Sequence, residues 1–342
     1  MVSVIVPMRN EAGWIESCLA SVFAQDYPAD RMEVIVVDGM SNDGSVEILR
    51  RMAATEPRLK VLDNPARIVP VALNLAIRCA RGEVIARMDA HTVLAEDYLS
   101  TGVELLASSG ADNVGGPMRT IGGGPIGDAV ACAMGSRFGI GAEFHFAEDE
   151  REVDTVYMGM WPRSVFERVG LFDEELVRNQ DDEFNYRLRK AGGRILLSPA
   201  LRSRYQNRQT WRGLIKQFYQ YGFWKVRVLQ KHPLQLSIRH FVPPLFDFAV
   251  ILSLVLAPVS AVAARVAATA IGGYVLCMAL VAGRLGASMA GRAMVLGALS
   301  VIHHAWGLGY LAGLVRFAGR WFKSGPEVEK LSAQGGPEQR AV

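Results

Sequence analysis

Along the first 200 residues, short apolar runs alternate with amphipathic stretches. Val2–Val6, Glu33–Val37 and Glu83–Met88, with a weaker run at Lys60–Leu62, read as buried parallel strands. Between them, Glu11–Ala24 sets Trp14, Cys18, Leu19 and Val22 on one stripe, and Ser45–Ala54 and Pro70–Cys79 repeat the helical period. Strands alternating with helices predict an α/β fold, a doubly wound Rossmann-like sheet with helices on both faces. Gly110–Gly141 is too polar and broken for a helix and reads as a strand plus a mobile loop. Val156–Pro162 follows, then a helix from Arg163 and another over Asn179–Ala191, with Asn179 at its N-cap.

The C-terminal third has a different pattern. Phe241–Ala264, Val266–Gly283 and Ala293–Val315 are long apolar stretches, and a span needs roughly 20 such residues. Two or three membrane helices are expected over 241–318, followed by a polar tail over 319–342. The loop cations Arg284 and Arg292 and the tail cations Arg316, Arg320 and Lys323 favour the same side, which three simple passes do not allow.

Charge sharpens this division. The chain has 342 residues and a net charge of +3. Residues 201–240 hold nine cations and no acid, a net +9, which leaves −6 for the rest. Residues 241–315 carry only Asp247, Arg265, Arg284 and Arg292. Three blocks result: a mildly acidic domain over 1–200, a basic collar over 201–240 and a lipophilic segment. Seven aromatics are interleaved with the collar cations. Nucleic-acid binding and a solvated helix face are possible accounts of that pattern. Aromatics and cations directly before an apolar stretch favour a membrane interface, with Thr210–Leu229 as an amphipathic helix among headgroups. Cys18, Cys79, Cys132 and Cys277 form no C-x-x-C pair, which fits a reducing compartment. The apolar N-terminus is too short for a signal peptide, so the first domain is expected in the cytoplasm.

Ligands of wound sheets sit beyond the carboxyl ends of the strands, and every such end here is polar. Asp89-Ala-His91 sets a carboxylate and an imidazole on one side of an extended segment, as a divalent cation requires; a capping Asp beside an unrelated His is the other account. Asp38 either takes hydrogen bonds from a ribose or a base, or merely forms a turn. Pro7 ends its strand, and Glu11 falls in a first helical turn. Asn179-Gln-Asp-Asp-Glu183 either complements a helix dipole, with Glu183 paired to Arg187, or supplies a general base.

As a set, these segments resemble the family 2 glycosyltransferases of the GT-A fold. The resemblance runs through Val2–Glu11, Val36-Val-Asp38, Asp43-Gly-Ser45, Asn74, Ala80–Glu83 and Asp89-Ala-His91. It continues through Gly159-Met-Trp161, Val169–Asp173 and Gln180–Glu183 before Arg187–Gly192. The chain is most similar to bacterial succinoglycan-type exopolysaccharide glucosyltransferases, through Asp-Ala-His and the collar Tyr205, Arg208, Gln217 and Tyr221-Gly-Phe-Trp224.

The resemblance implies that Pro7, Glu11, Asp38 and Asp89 bind the nucleotide of a UDP-sugar, and that Asp89 and His91 hold Mn²⁺ or Mg²⁺. Asp181 or Asp182 is then the catalytic base, with Gln180 standing where the family usually has Glu. Trp161, Arg204, Arg208, Arg212 and Lys216 are expected to meet a polyprenyl-pyrophosphate-linked glycan at the membrane lipids. Gln206-Asn-Arg208 followed by Trp211 breaks the Q-x-x-R-W spacing of processive members, which implies addition of one sugar, glucose by resemblance. An inverting enzyme of the plasma (inner) membrane with a cytoplasmic catalytic domain is expected, with no nucleic-acid partner. A polyprenyl-phosphate sugar synthase and a non-catalytic nucleotide-binding membrane-surface protein are the other readings.

Overall fold

The computed structural model describes residues 1–321 apart from 140, 236 and 287; the expected polar tail from 322 onward lies outside the described residues. Strands are β1 (Val2–Met8), β2 (Met32–Asp38), β3 (Leu59–Asp63), β4 (Val84–Arg87), β5 (Thr92–Leu94), β6 (Asn113–Gly116), β7 (Met118–Ile121), β8 (Arg151–Glu152), β9 (Tyr157–Pro162), β10 (Ile195–Leu197) and β11 (Ser203–Gln206). Helices are α1 (Ile15–Phe23), α2 (Ser45–Ala53), α3 (Val69–Cys79), α4 (Tyr98–Ser109), α5 (Pro125–Met134), α6 (Ser164–Val169), α7 (Gln180–Lys190), α8 (Trp211–Lys231), α9 (Val242–Leu256), α10 (Ala261–Leu285) and α11 (Met289–Arg316).

The main sheet runs β3-β2-β1-β4-β9-β6-β10-β8. β3, β2, β1 and β4 are parallel, and β9 lies antiparallel between β4 and β6. Alternation along β1 explains its two covered faces. Val2, Val4 and Val6 pack on Ile15, Leu19 and Leu49, whereas Ile5 packs with Leu73, Ile77 and Phe184. Ser3 is buried on the second face because its hydroxyl donates to Glu33 at 2.7 Å and accepts from the Gly82 amide at 2.8 Å. Asn74 on α3 donates to the Phe172 carbonyl and accepts from its amide, tying two distant segments through a buried amide pair.

Gly110–Gly141 departs from expectation: it holds β6, β7 and the helix α5. Its glycines break the apolar period, but Val130, Ala133 and Met134 find a tertiary face with Leu214, Phe218 and Leu299. The collar helix expected over Thr210–Leu229 is α8, and a short strand precedes it. Ser203–Gln206 is the central strand of a small sheet, β5-β11-β7.

Three helices are long and apolar enough to cross a membrane: Ile238–Leu256, Ala261–Leu285 and Met289–Arg316. The expected single run Phe241–Ala264 is divided. α9 ends before Pro258, and the Ser260 hydroxyl caps α10 by accepting from the Ala263 amide. The third helix, α11, packs closely on α8. A Cβ on Gly222 would lie 2.1 Å from the Trp306 carbonyl oxygen, and one on Gly309 would lie 2.1 Å from that of Tyr219. The two backbones touch there, so only glycine fits.

Candidate active site

The loops after β1 and β2 brace each other. The Asn10 amide donates to Ser41 Oγ at 2.8 Å, and the Glu11 amide to Ser45 Oγ at 2.9 Å. This fixes Pro7 and Glu11 at the mouth of a cavity of about 1410 Å³. β9 pairs antiparallel with β4, and Asp89 and His91, just past the end of β4, both line the same cavity. Asp181 and Asp182, in the first turn of α7, face it from the other side. Arg208 and Lys216 of the collar complete the set.

Arg87, which sequence reasoning passed over, connects the two sides. It is 9% exposed; its Nη2 donates to Asp89 Oδ1 at 3.0 Å and its Nη1 lies 3.6 Å from Asp181 Oδ2. Burial works against its charge, but the carboxylates of Asp89 and Asp181 outweigh that and hold the guanidinium protonated. Burial likewise pushes the Asp89 carboxyl up, and Arg87 and His91 reverse this to leave it below its ordinary value. The available signal was positional: an Arg closing an apolar strand two residues before Asp89 shares its side.

The two α7 carboxylates have unequal surroundings. Asp182 Oδ2 accepts from Lys225 at 2.6 Å, and that lysine is 2% exposed. Asp181 is 47% exposed at its side chain; its Oδ1 accepts from the Asp182 amide at 2.9 Å. Glu183 is buried and bonded to Arg187 at 2.6 Å and His232 at 2.9 Å, which overcome burial and keep it below its ordinary value. Asn179 stands at the N-cap position but does not cap with its side chain, which donates instead to the Tyr221 carbonyl at 2.9 Å.

Four expected site residues lie elsewhere. Asp38 is 2% exposed, and its carboxylate accepts from the Ser41 amide at 2.9 Å and the Ser41 hydroxyl at 2.5 Å, the turn-forming arrangement. Trp161 is 2% exposed among Phe166, Phe172 and Phe184, because β9 turns it into the core. Arg204 alternates with Tyr205 on β11, so it points away from the cavity that Tyr205 lines. Arg212 lies in a separate shallow groove with Ile215 and Trp224. The collar is also less free than its +9 suggested. Lys225, Arg227 and Lys231 pair with Asp182, Glu175 and Asp173, and Arg202 pairs with Asp97. Arg204, Arg208, Arg212 and Lys216 form no ion pair among the described residues.

The donor set suits a divalent cation with further ligands from a diphosphate. His91 Nδ1 meets Glu11 Oε1 at 3.0 Å. With the proton on Nδ1, Glu11 orients the ring and Nε2 keeps its lone pair, the usual outer support of a metal-binding imidazole. Among the described residues no group of three or more His, Cys, Asp or Glu is arranged to hold a metal without outside ligands.

Residues 3–169 match the family described as Glycosyl transferase family 2. The succinoglycan biosynthesis protein ExoA of Rhizobium meliloti (strain 1021) is 32% identical over 251 residues, covering 70% of this chain and 73% of the relative. The chain belongs to glycosyltransferase family 2. A second relative of this glycosyltransferase, from Methanococcus voltae, is 27% identical over 238 residues, covering 67% of this chain and 74% of its own. Its name is "Dolichyl N-acetyl-alpha-D-glucosaminyl phosphate 3-beta-D-2,3-diacetamido-2,3-dideoxy-beta-D-glucuronosyltransferase". The solved mannosyltransferase PcManGT of Pyrobaculum calidifontis, in complex with GDP-Man and Mn²⁺, shares the fold with a TM-score of 0.56 and 24% identity, covering 92% of this chain and 86% of that one. The glycosyltransferase therefore has the GT-A fold, followed by three helices long and apolar enough to cross a membrane.

Proposed function

We propose that the enzyme transfers one sugar from a UDP-sugar, glucose being the first candidate, to a polyprenyl-pyrophosphate-linked glycan, with inversion at the anomeric carbon. One observation carries this reading. Asp89 and His91 face Asp181 across a single cavity whose wall runs on into the apolar helices. The Methanococcus voltae relative, whose name specifies a dolichyl-linked sugar phosphate, supports a lipid acceptor that already bears a sugar. The reading places the catalytic domain on the cytoplasmic face of the plasma membrane.

Asp89 and His91 would hold Mn²⁺ or Mg²⁺, whose charge would offset that of the diphosphate leaving group. Pro7 and Glu11 shape the nucleotide side, and Glu11 also keeps the His91 ring in place. Asp181 is the base: it accepts the acceptor hydroxyl proton as oxygen attacks the anomeric carbon and the diphosphate departs from the opposite face. A single displacement turns an α-linked donor into a β-glycoside. Asp182, held by Lys225, positions the first turn of α7. Arg208 and Lys216 are the collar cations available to the acceptor pyrophosphate.

The test is transfer from UDP-Glc, UDP-Gal, UDP-GlcNAc and GDP-Man with Mn²⁺, offered polyprenyl phosphate and a polyprenyl-diphosphate sugar in parallel. Asp181→Asn is expected to lower the rate by roughly 10²–10⁴-fold while nucleotide still binds. Unaltered transfer by that variant, or an α-linked product from an α-linked donor, would overturn the assignment.

A further inference from the structure

The cavity holding Asp89, His91 and Asp181 continues past His240 and Asp247 to Tyr274 on α10 and to His304 and Trp306 on α11. This far end carries more polar chemistry than three apolar helices need. Asp247 is 6% exposed, and its Oδ1 meets His304 Nδ1 at 2.6 Å. Its Oδ2 has no partner among the described residues and sits over Gly307, where a Cβ would come within 2.0 Å of it. His240 Nδ1 and Trp306 Nε1 are also buried without partners among the described residues, and their rings stack with centroids 6.2 Å apart. The Tyr274 hydroxyl shares a hydrogen bond of 3.0 Å with His303 Nδ1, and the Tyr274 ring lies 4.9 Å from that of His304.

Ionisable side chains among membrane helices are expensive and mark functional sites, and a buried polar atom without a partner is destabilising until something satisfies it. We infer that this far end is a subsite for the sugar hydroxyls of the lipid-linked acceptor. A hydroxyl both donates and accepts. It can give its proton to Asp247 Oδ2, take one from Trp306 Nε1, and do either with His240. The Trp306 and Tyr274 rings offer flat apolar faces to the C–H side of a pyranose. A phosphate is the poorer occupant because it would meet the Asp247 carboxylate. The subsite also gives the acceptor a path from Asp181 toward the apolar helices, where its lipid chain can leave.

This inference rests on the lipid-linked acceptor proposed above, and the experiment separates the two. The full-length enzyme is assayed for transfer to, and binding of, polyprenyl diphosphate bearing one glucose, with bare polyprenyl diphosphate as comparison. Wild type is expected to prefer the glucosylated lipid by roughly tenfold or more, the size of one hydrogen bond. The Asp247→Asn/His304→Gln double variant should bring that preference toward unity. Trp306→Phe, which removes the Nε1–H donor and keeps an aromatic face, should lower it several-fold. UDP affinity within about twofold of wild type would show that the loss is not general unfolding. A preference unchanged in both variants overturns the subsite. Equal weakening toward both lipids also overturns it, in favour of a diphosphate site. Wild type that uses neither lipid sinks the acceptor reading, and this inference with it.

Discussion

Replacing Arg87 by Met keeps much of the side-chain volume and removes the charge shared by Asp89 and Asp181. The guanidinium is 9% exposed and sits 3.0 Å and 3.6 Å from the two carboxylates. At an effective dielectric near 20, each attraction is of the order of 5 kcal/mol before desolvation is charged against it. Measured losses on removing one partner of a buried pair are about 3–5 kcal/mol, because the remaining charge is left uncompensated. Thermal unfolding of purified Arg87→Met should therefore fall by roughly 5–10 °C at neutral pH. The sign with pH is also set. Asp89 is held below its ordinary value in the folded wild type, so its contribution is complete above about pH 4 and is lost as pH falls. Asp89 has no such contribution in the variant, so the gap between the two proteins should narrow below pH 4. An unchanged melting temperature at neutral pH, or a gap that widens on acidification, would refute the argument.

Other substitutions probe the rest of the frame. Burial pushes the Glu33 carboxyl up, but bonds from Lys60, the Arg81 amide and Ser3 outweigh it and hold it at about 2. It should contribute about 3 kcal/mol above pH 4.5, lost as pH falls toward 2, so Glu33→Gln should flatten that limb of a pH–stability curve. Gly222→Leu would drive a Cβ to within 2.1 Å of the Trp306 carbonyl oxygen. It should cost about 3 kcal/mol or more by forcing α8 from α11, and an unshifted melting curve would show that the helices do not touch. Trp161→Ala should cost about 3–5 kcal/mol in an unfolding experiment, as a core truncation. A stable variant with only a raised acceptor KM would instead return Trp161 to the acceptor site.

What the sequence made legible was short-range. Period-2 and period-3.6 patterns placed β1, β2, β4, α1, α2 and α3, because each depends on neighbours a few residues away. The polar strand ends also followed from order alone and led to Glu11, Asp89 and His91, and the acid-rich start of α7 led to Asp181; all four line one cavity. Failures came where a distant segment decided the outcome. α5 was missed because its weak pattern is completed by packing on α8 and α11. Trp161 reads as an acceptor contact in the sequence because a sequence does not say which side of β9 faces the core.

Charge shows the same limit. By composition the collar is a uniform +9, and Lys225 is one cation in nine. Only the tertiary structure decides that Lys225 is buried on Asp182 while Arg208 and Lys216 line the cavity with no ion pair among the described residues. Whether a charge steers a ligand or merely satisfies a carboxylate depends on what lies within about 4 Å, and for these residues the partners are 40 or more positions away. The sequence by itself thus determined the family, the strand ends and the apolar helices, all local properties of the chain. The unequal surroundings of Asp181 and Asp182, the Arg87 bridge and the polar far end of the cavity came only from the fold, because each is a contact between segments that the chain keeps far apart.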